Sequence, residues 1–178
     1  EWRSKIKYNG LYKKEVIRSA ITLKLLTYSP TGAMIASPTT SLPEVVSGVR
    51  NWDYRYSWLR DSAFSHWAFH ALGLKAESMK YIKWVRSVIE GKEPKTLYGI
   101  EGEIEPESQL DHLEGYKRSK PVRIGNDASN QFQLDVYGIT LDALYFANKH
   151  GTGISKMDYD KVARPLAELV ESNWKRTD

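Results

Sequence analysis

Asn51-Trp52-Asp53-Tyr54-Arg55-Tyr56-Ser57-Trp58-Leu59-Arg60-Asp61-Ser62 alternates aromatic with charged side chains and runs straight into a strongly periodic segment. From about Trp58 to Leu72 the spacing predicts a helix, with Phe64, Trp67, Ala68, Ala71 and Leu72 on one face and Gly73 as its stop. Only Gly73, Leu74 and Lys75 separate it from a second helical pattern, Ala76 to Ile89, which aligns Met79, Ile82, Val85 and Ile89 and closes at Gly91. A link this short makes the two helices antiparallel neighbours.

Working outward, Leu11 to Leu26 puts Val16, Ala20, Leu23 and Thr27 on one face. Gln133 to Asn148 aligns Leu134, Tyr137, Leu141, Leu144 and Tyr145, ending near Gly151. Asp158 to Trp174 aligns Val162, Leu166, Leu169 and Val170, with Pro165 inside, so the helix kinks or begins there. No long segment shows strand alternation, and the fold class is all-α. The remaining connections are long: Ser29 to Asp53 carries Pro30, Gly32, Pro38, Pro43 and Gly48, and Gly91 to Ile124 carries further breakers. Loops of this length usually carry function. Helical hairpins with one face of long loops forming a site is the expected architecture.

A chain of 178 residues suits one domain with a real core. Six tryptophans and eleven tyrosines exceed what such a core needs, and aromatic surplus suits stacking on flat ligands as well as helical packing. The net charge of +4 comes from scattered residues such as Lys5, Lys13, Lys92 and Lys117 rather than a basic stripe, which argues against a nucleic-acid partner. With no cysteine there is no disulfide framework or cysteine-rich metal site. No apolar run approaches membrane-spanning length. A chain that opens on Glu1 reads as part of a longer one, and without a signal-peptide pattern the default location is cytoplasmic.

Arg60 beside Asp61 is a pairing that can hold vicinal hydroxyls, the guanidinium donating and the carboxylate accepting, while an aromatic face beside them would give a sugar's C–H surface something to lie on. The same stretch also suits a plain helix N-terminus, with Asp53 or Asp61 complementing the dipole and the aromatics entering the core. Glu101, Glu103, Glu105 and Glu107 alternate in a loop; paired carboxylates serve glycoside hydrolysis, but an alternating run equally suits a solvated edge. His66 and His70 have metal-ligand spacing, yet Trp67 stands where the zinc-protease pattern needs a glutamate, so no metal site is expected. No nucleophile elbow or phosphate loop is present.

Taken together, Tyr28-Ser29-Pro30-Thr31-Gly32-Ala33, Ala36 to Glu44, Arg50 to Ser62, Gly99-Ile100-Glu101-Gly102-Glu103, His112-Leu113-Glu114-Gly115-Tyr116, Pro121 to Asn126 and Gln131 to Gly138 closely resemble glycoside hydrolase family 15. That family holds glucoamylases, glucodextranases and some prokaryotic trehalases. The resemblance implies an (α/α)6 barrel, of which residues 1–178 supply an N-terminal part of about five helices; a preceding β-sandwich and the other barrel helices are expected to lie outside it. It implies that Asp61 and Arg60 hold the terminal glucose and that Tyr54 and Trp58 shape the pocket. It places no catalytic carboxylate within the chain. The general acid, in a motif of the Gly-Ile-Trp-Glu type soon after Val170-Glu171-Ser172-Asn173-Trp174, and the general base are expected beyond Asp178.

The expected parent is therefore an inverting exo-acting α-glucosidase on maltooligosaccharide, starch or dextran, needing no cofactor, with an α-linked glucose oligosaccharide as its partner. A trehalase, for which phosphate or magnesium dependence would speak, and a non-catalytic carbohydrate-binding or scaffold module are the alternatives. A partial barrel would leave apolar helix faces open, so self-association is expected.

Overall fold

The computed structural model describes residues 1–151 and 155–178. Helix α1 is Lys13–Leu25. Strand β1, Ser57–Trp58, leads directly into α2, Leu59–Ala71, and α3 follows at Lys75–Ile89. Then come β2 (Leu97–Tyr98), β3 (Ser108–Gln109), β4 (Arg123–Ile124) and α4 (Asp135–Lys149). The last helical path joins α5 (Lys156–Asp158), a π-helical turn (Tyr159–Ala163) and α6 (Arg164–Asn173). All five predicted helical segments are present. The strands, two residues each, form two antiparallel ribbons, β1 with β2 and β3 with β4.

The π turn is the structural answer to Pro165. Proline offers no N–H to the carbonyl four residues earlier, so the helix widens by one residue before it and resumes with Pro165 in its first turn. Upstream, Ser155 and Asp158 form a reciprocal capping box. Between α2 and α3 the Gly73 amide donates to the His70 carbonyl at 2.9 Å and the Leu74 amide to the Phe69 carbonyl at 2.8 Å. That is a Schellman closure, and its left-handed position, φ 78°, is filled by glycine.

Helix α2 packs against both α3 and α4. Its buried face consists of Leu59, Ser62, Ala63, His66 and Phe69, which differs from the expected stripe: Phe64 is 56% exposed and meets Trp67 edge-to-face on the outside. Periodicity misassigns this helix because its apolar residues are spread around it rather than gathered in one stripe. A helix with two partners buries the side whose small residues, Ser62 and Ala63, admit close approach. Phe69 is fully buried, and deleting its ring would cost about 3–5 kcal/mol. Tyr81, Ile82, Trp84, Val85, Val88 and Ile89 of α3 and Val136, Ala143, Leu144 and Ala147 of α4 complete the core. Met79 and Tyr145, expected inward, face solvent, whereas Val162 and Leu166 are buried as expected.

Helix α1 sits at the edge with only Ala20 buried; Glu77 of α3 ties it down by accepting from Lys24 Nζ at 2.9 Å and from Trp2 Nε1 at 2.5 Å. The tight α2–α3 turn lies at the C-terminal end of α2. The two long loops cross the opposite end, at the starts of α2 and α4, through bridges such as Thr40 to Asp53.

Candidate active site

At that end of the helices lies a cleft of about 600 Å³, and Tyr54, Trp58, Arg60 and Asp61 all line it. Pairing of β1 with β2 holds Trp58 extended, φ −79° and ψ 127°, immediately before the first turn of α2, which carries Arg60 and Asp61. Arg60 Nη1 donates to Asp135 Oδ2 at 2.8 Å and to Gln133 Oε1 at 3.1 Å, both from the start of α4. The hydrogen bond to Asp135 raises the Arg60 guanidinium above its ordinary pKa. Asp61 Oδ2 lies 3.7 Å from Arg60 Nε and its side chain is 65% exposed, leaving the carboxylate open to an incoming hydroxyl. The rings of Tyr54 and Trp58 are 5.7 Å apart and tilted by 46°. Burial, followed by Glu44, raises the Tyr54 phenol.

Asp53 does not serve the dipole of α2; it is fully buried and organises the loops. Its carboxylate takes a fork from Arg55 at 2.9 and 2.7 Å, the Arg55 amide at 3.1 Å and the Gly125 amide at 3.2 Å. Its carbonyl accepts from Asn126 Nδ2 at 3.0 Å. Glycine is required at 125: its φ is 78°, and a Cβ there would lie 2.4 Å from the Pro106 carbonyl oxygen.

Among the four alternating glutamates, Glu107 lines the cleft. Glu103 and Glu105 face a separate hollow beside Arg55 and Tyr56, and Glu103 folds back onto the Glu101 amide at 2.9 Å. Glu107 accepts from Arg123 Nε at 2.8 Å and from the Asp127 amide at 3.3 Å. Arg123 also donates to the carbonyls of Val49 and Asn51, and its guanidinium carbon sits 4.5 Å over the Trp52 ring. Thr40 and Ser41 bond to the Arg123 backbone on the other side. One arginine thus fastens three loop segments into one wall.

His66 and His70 turn to packing. His66 is fully buried, its Nδ1 within 3.1 Å of the Ser78 carbonyl and 2.9 Å of the Ser78 hydroxyl, and burial pushes its pKa down to about 4. His70 packs against His150 with ring centroids 4.6 Å apart and tilted by 52°, and burial lowers its pKa too. Among the described residues no three His, Asp or Glu side chains converge as a metal site would require.

Trp52, Arg123, Asp127 and Gln133 also line the cleft; the resemblance implies that the segment Arg123 to Asp135 lies near the site, but it assigns no role to any of these four. The alternation Trp52, Tyr54 on an extended segment carries a signal for the first, since side chains two apart share a face. For Gln133 the only signal is its place in the family-like stretch Gln131 to Gly138.

The chain matches the family described as Glycosyl hydrolases family 15 over residues 10–178. A trehalase of Mycolicibacterium smegmatis is 45% identical over 167 residues, covering 90% of this chain and 25% of that protein. A trehalase of Thermoplasma acidophilum is 41% identical over 180 residues, covering 100% of this chain and 31% of that one. Trehalase 1 of Sulfolobus acidocaldarius is 35% identical over 184 residues, covering 99% and 32%. The chain thus spans about a quarter to a third of the length of these relatives. A solved wild-type glycosidase shares the fold, with a TM-score of 0.59 at 20% identity over 94% of this chain and 44% of that one.

Proposed function

Because this chain belongs to glycoside hydrolase family 15, we propose that the protein acts as a trehalase and that the cleft at the start of α2 holds its sugar. The observation that carries the site is Arg60, fixed by Asp135 and Gln133, standing beside the open carboxylate of Asp61 with Tyr54 and Trp58 on the same cleft. A guanidinium and a carboxylate so placed satisfy neighbouring hydroxyls of one glucose, and the rings accept its C–H face. Trehalose is favoured over maltooligosaccharide, starch or dextran because the relatives are trehalases, not glucan hydrolases.

In a single-displacement hydrolysis one carboxyl group protonates the glycosidic oxygen and another activates water on the opposite face of the ring. Glu107 is engaged by Arg123, and Asp127 Oδ1 accepts from Asn130 Nδ2 at 2.7 Å. Both carboxylates serve as acceptors that hold the loop wall together. We therefore assign the acid and base to the remainder of the whole protein, and give Arg60 and Asp61 the task of orienting the sugar and of bonding it more tightly as charge develops. On this reading residues 1–178 form the first part of the barrel and by themselves bind sugar without cleaving it. Cytoplasmic action belongs to the same proposal.

Glucose release from trehalose, maltotriose and isomaltotriose by the whole protein tests it. Trehalose is the expected substrate. Preferential cleavage of maltotriose would restore the glucan reading, and sugar binding without cleavage would favour a binding module.

A further inference from the structure

The cleft is lined by two clusters. Arg60, Asp61 and Gln133 belong to the helix starts, while Trp52, Arg123, Glu107 and Asp127 belong to the loop wall. Trp58 and Asp61 also border a second hollow toward Ile35 and Ser65, which the loop-wall residues do not line, so open space continues past Asp61 on the side away from the wall. The wall is built rather than incidental. Arg123 and Glu107 have side chains 10% and 17% exposed, and their ion pair is held from behind by the carbonyls of Val49 and Asn51. The guanidinium covers one face of Trp52, which is only partly buried and still reaches the cleft. Asp127 is exposed at the rim, with one carboxylate oxygen fixed by Asn130.

We infer that this wall seats the second glucose ring of the disaccharide, the one that leaves, with Trp52 as its platform and Asp127 and Glu107 accepting from its hydroxyls. The inference rests on the disaccharide-hydrolase reading above and adds a subsite to it. An aromatic ring on the cleft beside fixed carboxylates is what a polyhydroxylated ring needs: a C–H surface on one side and acceptors around its edge. Arg123 acts through the others as a positioning residue, since its Nε and Nη1 donors are held by Glu107 and backbone carbonyls and its side chain is only 10% exposed.

The test compares trehalose with α-glucosyl fluoride, whose leaving group places no ring on the wall. In the whole protein, Asp127→Asn and Trp52→Phe are expected to lower the ratio of kcat/KM for trehalose to that for the fluoride about tenfold, while Arg60→Lys lowers both together. Asp127 is exposed, so its variant folds even if the Trp52 variant does not. A ratio within twofold of wild type in Asp127→Asn and in any folded Trp52→Phe overturns the subsite. If the wild type cleaves maltose and not trehalose, the trehalase reading fails by itself, and the same ratio read with maltose decides the subsite. A wild type inactive on both disaccharides overturns the two together.

Discussion

Arg60 at the start of α2 reaches Asp135 at the start of α4, Nη1 to Oδ2 at 2.8 Å. The pair joins two helices through side chains that are 39% and 47% exposed. An ion pair so accessible to water contributes little to folding, so Asp135→Ala is expected to change unfolding free energy by less than about 1 kcal/mol. It frees the Arg60 fork, and kcat/KM for trehalose is expected to fall at least about tenfold. Denaturant unfolding beside steady-state kinetics checks the dissociation. A large stability loss with unchanged kinetics would assign the pair to structure.

Asp53 behaves in the opposite way. It is fully buried and receives the Gly125 amide as well as the Arg55 fork. Asp53→Ala strips partners from inward-facing donors, although Arg55 retains some access to water at 45% side-chain exposure. The expected cost is about 2–4 kcal/mol, read as a lowered denaturation midpoint. A change under 1 kcal/mol would show that the loops hold together without it.

His66 makes stability depend on pH. Burial lowers its pKa from 6.5 to about 4 in the folded chain. Between those values the unfolded chain binds a proton that the folded chain does not. The contribution is therefore complete above pH 6.5 and is lost as pH falls toward 4, by up to about 3 kcal/mol. Unfolding free energies measured from pH 7 to 4.5 should show this slope, and His66→Phe should flatten it. An imidazole NMR titration of His66 near 6.5 would contradict the assignment.

Much of this was legible in the residues. Five helices follow from apolar spacing, and the Gly73 stop follows from the need for a left-handed residue at a helix end. Tyr54, Trp58, Arg60 and Asp61 stand out because aromatics and charges alternate just ahead of a helix. The inward face of α2 was not legible: Phe64 and Phe69 are equally apolar, and only the presence of α3 and α4 on one side decides between them. Nor was the wall. Glu107 meets Arg123 because β3 and β4 pair with Gln109 opposite Arg123, and strands of two residues leave no alternation to read.

Leu11, Tyr12 and Leu25 around α1, with Phe64, Tyr145 and Trp174 on the other helices, are more than half exposed. Apolar faces of this kind favour association. The 178-residue chain by itself is expected to show a sedimentation coefficient that rises with concentration. A single monomer species across a hundredfold dilution would count against it.

Asp61 bears most directly on the central claim. Its side chain is 65% exposed, and the described contacts give it no part in the core, so Asp61→Asn should leave the melting temperature of the whole protein unchanged. If its carboxylate grips the sugar, kcat/KM for trehalose falls about 100-fold in this variant. Trehalose hydrolysis within twofold of wild type would mean that the cleft at the start of α2 does not hold the substrate.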